Sequence, residues 1–309
     1  MKRILVLGGS GFVGRHLCEK VAQLNARFDT RLTVVTRRLA HAKAIQTLPW
    51  VDLAEADVHD GASLMRLVAG HDAVVNLVAI LHGNQDTFNR AHVELVRKLV
   101  RACQANSVQR IVHVSALGAA PDAPSMYQRS KAEAEAVLAA SGLDVTVLRP
   151  SVIFGADDKF LNVFAKLQSI FPVMPLAGAQ TRFQPVWVED VAQAVVNVLQ
   201  RHELGRFQND SRLRNIYEAC GPERFTLKQL VQLAGHFSGH PRPVFGLPPA
   251  LGRLQARMMA LAPGEPLMSL DNLDAMAVDN VASGKLPGLQ ALDIAPTSLH
   301  AIAPLYLRP

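Results

Sequence analysis

The 309-residue sequence reads as an α/β protein, a doubly wound parallel sheet followed by a smaller mixed cap, and three observations predict this. Strand-like and helix-like patterns alternate through the first 150 residues, the rhythm of βαβ units joined by right-handed crossovers. The first apolar run, Ile4-Leu5-Val6-Leu7, passes directly into Gly8-Gly9-Ser10-Gly11-Phe12-Val13-Gly14. A strand, a glycine-rich turn and a helix start in that order cradle a dinucleotide pyrophosphate. Far downstream, Tyr127 and Lys131 stand four residues apart. That spacing puts them on one helix face, where the ammonium is expected to lower the phenol pKa.

The elements follow in order. Arg3–Leu7 is the first strand, and Phe12–Leu24 carries Phe12, Val13, Leu17, Val21 and Leu24 at helical spacing. Leu32–Val35 is β-branched and apolar, Leu39–Leu48 reads as helical, Asp52–Ala56 is a strand edge, and Ser63–Val68 is a short helix. Ala73–Ile80 is apolar without alternation, as a central parallel strand buried on both faces should be. Phe88–Ala105 predicts one long amphipathic helix, Arg110–Ser115 a strand, Ser125–Ala140 an alanine- and glutamate-rich helix, and Val145–Leu148 the next strand.

Beyond Pro150 proline and glycine become frequent and the alternation loosens. Thr226-Leu227-Lys228-Gln229 is a capping box opening a helix through Phe237. Pro248-Pro249 opens another, Ala250–Leu261. In it Leu251, Leu254, Met258 and Leu261 share a face beside Arg253 and Arg257. That stripe either packs the cap onto the sheet or docks on a membrane surface or partner. The expected division is a Rossmann-type, dinucleotide-binding core over residues 1–150 and a substrate cap over 151–309, partly interwoven with the core.

Composition narrows the possible functions. With 49% hydrophobic and 19% charged residues, the chain is not disordered. No apolar run reaches the roughly 18 residues of a membrane span. Lys2-Arg3 is followed by only four apolar residues, too few for a signal peptide, and a strand from residue 3 leaves no room for a presequence. Cys18, Cys103 and Cys220 are isolated in apolar segments, which suits buried reduced thiols. The eleven histidines show no metal-ligand spacing, so no metal is expected. A net charge of +6 and a pI near 9.5 suit polyanions. However, the cations are scattered and aromatics make up only 6%, so nucleic acid is not the expected partner.

In an open α/β sheet, ligands bind at the carboxyl ends of strands. There Gly8 permits the tight turn, Gly11 lets backbone approach phosphate, and Gly14 lets helix pack close on strand, with Ser10, Phe12 and Val13 completing the cradle. The second strand ends Val34-Val35-Thr36-Arg37-Arg38. An NAD site places an acid here; two guanidiniums instead suit a 2′-phosphate, so NADP(H) is preferred, with NAD(H) the alternative. Asp57-Val58 ends the third strand, where the carboxylate either accepts from the adenine amino group or starts a helix. Leu77-Val78-Ala79 follows Asn76 at the end of the fourth, where small residues let a cofactor lie flat.

These residues resemble the extended and atypical short-chain dehydrogenase/reductases. Among them the chain is most similar to the family of the nucleotide-binding alpha-subcomplex accessory subunit of respiratory complex I and its bacterial relatives. The glycine motif, His113–Gly118, Tyr127–Lys131, Leu148–Gly155 and Gln184–Ala192 carry the likeness, and Asp271-Asn272-Leu273 and Asp279-Asn280-Val281 extend it. The resemblance implies that Tyr127 exchanges a proton and that Lys131 lowers the phenol pKa and holds the nicotinamide ribose. It places Pro150 and Val152 beside the cofactor. It also calls for a Ser or Thr to polarise the carbonyl and an asparagine to orient the lysine through water. Here the usual hydroxyl position is Ala116, leaving Ser115 as the candidate, and His92 replaces the asparagine. A missing oxyanion donor costs on the order of a hundredfold in rate.

The implied activity is that of an oxidoreductase on a small carbonyl or alcohol, quinone- or lipid-related. The rival is a non-catalytic NADP(H)-binding accessory or assembly factor linked to respiratory complex I. The expected location is cytoplasmic, with peripheral contact to the inner membrane or to the respiratory complex. Asp190 reads as a helix-starting carboxylate.

Overall fold

The computed structural model describes residues 2–24, 29–203, 215–259 and 268–308. A seven-stranded, wholly parallel sheet is its centre. From one edge the order is β3 (Val51–Glu55), β2 (Arg31–Thr36), β1 (Arg3–Leu7), β4 (Ala73–Asn76), β5 (Arg110–Val114), β6 (Asp144–Pro150) and the strand Ile216–Ala219. Val6 stands opposite Val34 on one side and Val75 on the other. Strand order reverses between β1 and β4, which opens the ligand crevice at their carboxyl ends. The doubly wound α/β fold is therefore as the sequence predicts.

Helices cover both faces, as parallel sheets require. On one face α1 (Phe12–Leu24) and the helix Val188–Glu203 bury Leu17, Cys18, Val21, Val191, Val195 and Val198 against Ile4, Val6, Val34 and Val75. On the other lie α2 (Gly61–Val68) and two further helices, Leu95–Ala105 and Met126–Ala139. They bury Leu64, Val68, Leu95, Leu99, Ala134 and Leu138 against Leu5, Leu7, Val74 and Ile111. A third apolar cluster, including Phe154, Leu161, Met174, Phe183, Leu230 and Leu299, belongs to the second half of the chain. Cys18, Cys103 and Cys220 are buried and free, and burial pushes each thiol up to about 12.

Several expected elements come out differently. Leu39–Leu48 makes only a 3₁₀ turn, Leu39–Ala42. Within it and the turns that follow, only Ala42 and Ile45 are buried, too little apolar contact to hold a helix. The strand expected over Ala73–Ile80 stops at Asn76. There the Asn76 side chain accepts from the Val78 amide at 3.2 Å and turns the chain out of the sheet. The long helix begins earlier, at α3 (Gln85–Phe88), under an Asn84/Thr87 capping box. It runs through a π-helical stretch, Asn89–Glu94, before α4 (Leu95–Ala105). That wider turn brings Ala91, His92 and Val93 all into the interior, and such bulges recur at functional sites.

The remaining helices are α5 (Met126–Ala139), α6 (Leu161–Ile170), α7 (Val188–Glu203), α8 (Leu227–Phe237), α9 (Pro249–Met259), α10 (Leu270–Ala275) and α11 (Leu299–Tyr306). The Thr226/Gln229 capping box opens α8 as expected. The packing reading of the leucine stripe is corrected by α9, although Leu261 lies outside the described residues. Its buried residues are Gly252 and Ala256, whereas Leu251, Leu254 and Met258 are 52%, 53% and 65% exposed. The small face permits close approach: a Cβ on Gly252 would stand 2.8 Å from the Ala177 Cβ. Seating that face turns the larger side chains outward.

Candidate cofactor and active site

The glycine turn closes β1 tightly. Gly8 has φ +80°, and a Cβ there would lie 3.1 Å from the Leu77 carbonyl carbon, so only glycine fits easily. The Gly11 amide donates to the Gly8 carbonyl at 3.0 Å. A Cβ on Gly14 would meet the Gly9 Cα at 2.3 Å, so backbone rests on backbone where α1 starts. Ser10 Oγ reaches Thr36 Oγ1 at 3.5 Å, and the ring of Phe12 borders Gly155. With Val13 half-buried beside them, these residues leave a helix N-terminus and bare backbone facing the crevice, a cradle that fits a pyrophosphate.

The other expected contacts gather along the same edge. Arg37 and Arg38, directly after β2, are both exposed. Asp57 is exposed and its carboxylate accepts from the His59 amide at 2.9 Å, while Val58 is buried in the core. Leu77 and Val78 are half-buried, Ala79 is exposed, and the Leu77 amide donates to the Leu7 carbonyl beside the glycine turn. Pro150 ends β6 with its carbonyl accepting from Leu117, and the Val152 carbonyl accepts from Val186.

Helix α5 carries the tyrosine–lysine pair, and its start is fixed from two sides. Ser125 caps it by accepting from the Gln128 amide. The Asp271 carboxylate accepts from the amides of Met126 and Tyr127 at 2.5 and 3.2 Å, so the C-terminal part of the chain holds the tyrosine's backbone. Lys131 is 1% exposed. Its Nζ donates to the Val114 carbonyl at 3.2 Å and lies 6.0 Å from the Tyr127 ring centroid. Burial pushes this lysine down to about 8, with Glu135 opposing. Burial also pushes the Tyr127 phenol up to about 12. This corrects the expected lowering: the ammonium faces the ring and the β5 backbone, and the phenol is protonated at neutral pH.

Ser115 is drawn elsewhere. Its hydroxyl donates to the buried Glu135 carboxylate, which Arg149 grips through Nε at 3.0 and 3.2 Å and through Nη2 at 2.5 Å. The structure thus brings Tyr127 and Lys131 together and turns Ser115 toward a carboxylate.

His92, in the asparagine position, is a clamp. Ser130 Oγ donates to the Tyr127 carbonyl, so His92 Nδ1 must carry the hydrogen it shares with Ser130 at 2.8 Å. Nε2 then accepts from the Ile80 amide at 3.2 Å. Burial first, then Lys131 and His113, lowers His92 to about 2, so the ring stays neutral. His113 is likewise pushed to about 3, by burial and then by Lys131.

Sequence reasoning missed Asp271, Glu135 and Arg149. For Asp271 the signal was present in its Asp-Asn-Leu motif, but its partner lies 145 residues away. Among the described residues one group has metal-ligand types, His16, Glu19 and Glu189. It is an ion-pair network, with Glu189 bound to His16 at 2.6 Å and Lys20 at 2.9 Å.

Tyr127 borders a cavity of about 610 Å³. Its walls are largely apolar, including Phe160, Phe164, Leu167, Met174, Phe183 and Met276, with His82, Gln128, Lys159, Gln255, Asn272 and Asn280 the polar exceptions beside Tyr127.

The buried lysine has a thermodynamic consequence. Its folded pKa lies below the unfolded value, so between about pH 8 and 10.5 the unfolded chain holds a proton the folded chain has released. Stability from this group therefore rises with pH across that window and is lowest below it. Lys131→Met should stabilise the cofactor-free protein at pH 7 by about 1–3 kcal/mol and remove that rise. Urea titrations at pH 7 and 9.5 check this; a destabilised variant with the slope intact would contradict it.

Comparison with known proteins agrees with the fold. A family model described as NAD(P)H-binding matches residues 8–202. The chain is 27% identical over 298 residues to the mouse mitochondrial NADH dehydrogenase [ubiquinone] 1 alpha subcomplex subunit 9, covering 96% of this chain and 77% of that protein. It is 26% identical over 247 residues to the ceramide reductase of Caulobacter vibrioides, 79% of this chain and 73% of that one. Among solved structures, the NADPH-dependent quinone oxidoreductase QOR2 of Escherichia coli, complexed with NADPH, superposes with a TM-score of 0.75 at 21% identity over 98% of this chain and 99% of that one. The Streptomyces venezuelae dTDP-glucose 4,6-dehydratase DesIV, bound to NAD, gives 0.75 at 20% identity over 99% and 95%. These findings support a nicotinamide dinucleotide as the ligand class. The chain belongs to the NAD(P)H-binding family.

Proposed function

We propose that the protein is an NADP(H)-dependent oxidoreductase that interconverts a carbonyl and an alcohol on an apolar, lipid- or quinone-type substrate. The observation that carries this is a protonated phenol, Tyr127, in the wall of a mostly apolar cavity, on the helix that also holds Lys131. When bound, the dinucleotide supplies or takes the hydride. Tyr127 gives the proton to the carbonyl oxygen as the alcohol forms, and Lys131 holds the nicotinamide ribose. Gly8, Ser10, Gly11, Phe12, Val13 and Gly14 hold the pyrophosphate. Asp57, Val58, Leu77, Val78, Ala79, Pro150 and Val152 border the rest of the cofactor.

On this reading residues 1–150 are the cofactor half and 151–309 the substrate half. The latter returns α7 and the strand Ile216–Ala219 to the sheet. Contact with a respiratory complex, supported by the subunit relatives, and with the inner-membrane surface is part of the same proposal.

A second reading rests on Ser115. With its hydroxyl on Glu135 and Ala116 beside it, the carbonyl lacks the expected polarising donor, which favours a protein that holds NADP(H) without turnover. Tyr127→Phe decides between them. On the oxidoreductase reading, carbonyl reduction by NADPH falls at least about a hundredfold while NADPH affinity stays within a few-fold. An unchanged rate, or no reduction of any long-chain carbonyl or quinone by the wild type, would contradict it.

Cofactor choice rests on Arg37 and Arg38, exposed where an acid would select NAD(H). NADPH should bind about ten- to a hundredfold more tightly than NADH, about 1.4–3 kcal/mol, and Arg37→Ala should remove most of that difference. Equal affinities in calorimetry at fixed salt would overturn the preference.

A further inference from the structure

The outward face of α9 does not end at the helix. Gln255 and Met259, on the same helix, line the cavity that Tyr127 borders. So do Leu81, Phe171, Val173 and Val278, and these four are also 53%, 51%, 44% and 44% exposed. The same side chains therefore form cavity wall and outer surface, which places the cavity mouth among them. Ile170, next to Phe171 in the chain, is 62% exposed, and Phe245, opposite the cavity-lining Pro175 in the strand pairing, is 46% exposed. Leu251, Leu254 and Met258 add the face of α9, which is tied to this rim where Gln255 donates to the Pro175 carbonyl at 3.3 Å. Contiguous exposed apolar surface of this kind marks an interaction site.

Charge selects the occupant. From Leu161 to Gln180 and from Pro241 to Met259 the chain carries Lys166, Arg242, Arg253 and Arg257 and no carboxylate. Lys166, Arg253 and Arg257 are exposed, and of these Arg253 is paired with the Asp274 carboxylate of α10 at 3.0 Å. An isologous pairing of two copies would set these cations against one another. A cationic, apolar, aromatic-bearing face instead matches an anionic lipid surface, where the apolar side chains enter the acyl boundary and Lys166 and Arg257 meet the headgroups.

We infer that the face formed by α9 and the Ile170–Val173 turn docks on an anionic bilayer and opens the Tyr127 cavity directly into it. A lipid chain then enters the cavity without crossing water. That last step rests on the oxidoreductase reading; the docking does not.

Flotation of the full chain with vesicles tests it without any turnover. On phosphatidylglycerol–phosphatidylcholine vesicles at low salt the protein should float, and raised salt or pure phosphatidylcholine should reduce the bound fraction. The double variant Leu254→Asp/Met258→Asp alters only exposed side chains. It should keep NADPH binding yet lose at least about tenfold in vesicle affinity, and Arg257→Glu should weaken binding to the anionic vesicles. A wild type that stays unbound at low salt, or a double variant that floats like wild type, overturns the proposal. Self-association abolished by the double variant, without vesicle binding, would assign the face to a second copy.

Discussion

Most of the site's electrostatics depends on a cation buried where water does not reach. Lys131 extends beneath Tyr127 with the Val114 carbonyl as its hydrogen-bond acceptor, although an ammonium has three hydrogens to donate. A charge in such a place is costly unless its surroundings answer it. Glu135 answers in part, and Glu135 is in turn held by Arg149 and Ser115. The two histidines nearest the cation are kept neutral partly by it. Ser115's orientation follows from the same network, because its hydroxyl serves the carboxylate that balances the lysine.

The scaffold around that cation is built to hold backbone still. Gly8 and Gly14 allow contacts that any Cβ would obstruct. His92 ties the loop after β4 to α5, and Asp271 ties the start of α5 to the C-terminal part. Asp190, expected as a helix-starting carboxylate, lies in the first turn of α7 and accepts from the Thr297 amide and hydroxyl. Both halves of the chain thus meet at the tyrosine, one supplying the helix and the other its anchor.

How much of this the sequence revealed follows from the range of each interaction. The first six strands of the sheet and the glycine turn are local patterns, set by burial on both faces and by backbone sterics, and they were legible; the seventh strand, Ile216–Ala219, was not. The end of β4 at Asn76 and the π-helical stretch were not, because a side chain accepting from the backbone and a tertiary clamp decide them. The phenol's raised pKa was not legible either, since spacing of four residues says that two side chains share a face but not which way the ammonium turns. The α9 stripe was visible as a stripe. Its outward orientation depended on Gly252 and Ala256, whose smallness decides which face can approach the neighbouring chain near Ala177. Asp271 acts across 145 residues, a distance no local pattern spans.

On this reading Lys131 is a cation whose remaining acceptors arrive with the dinucleotide. Bound dinucleotide brings hydroxyl acceptors and negative charge, so the lysine pKa should rise from about 8 on binding. Calorimetry of NADPH binding at pH 8, in buffers of different ionisation enthalpy, measures the proton exchanged. A 2′-phosphate is already ionised there, its second pKa being near 6, and the buried histidines are neutral. Uptake on the order of half a proton is expected. No exchange, or net release, would contradict it.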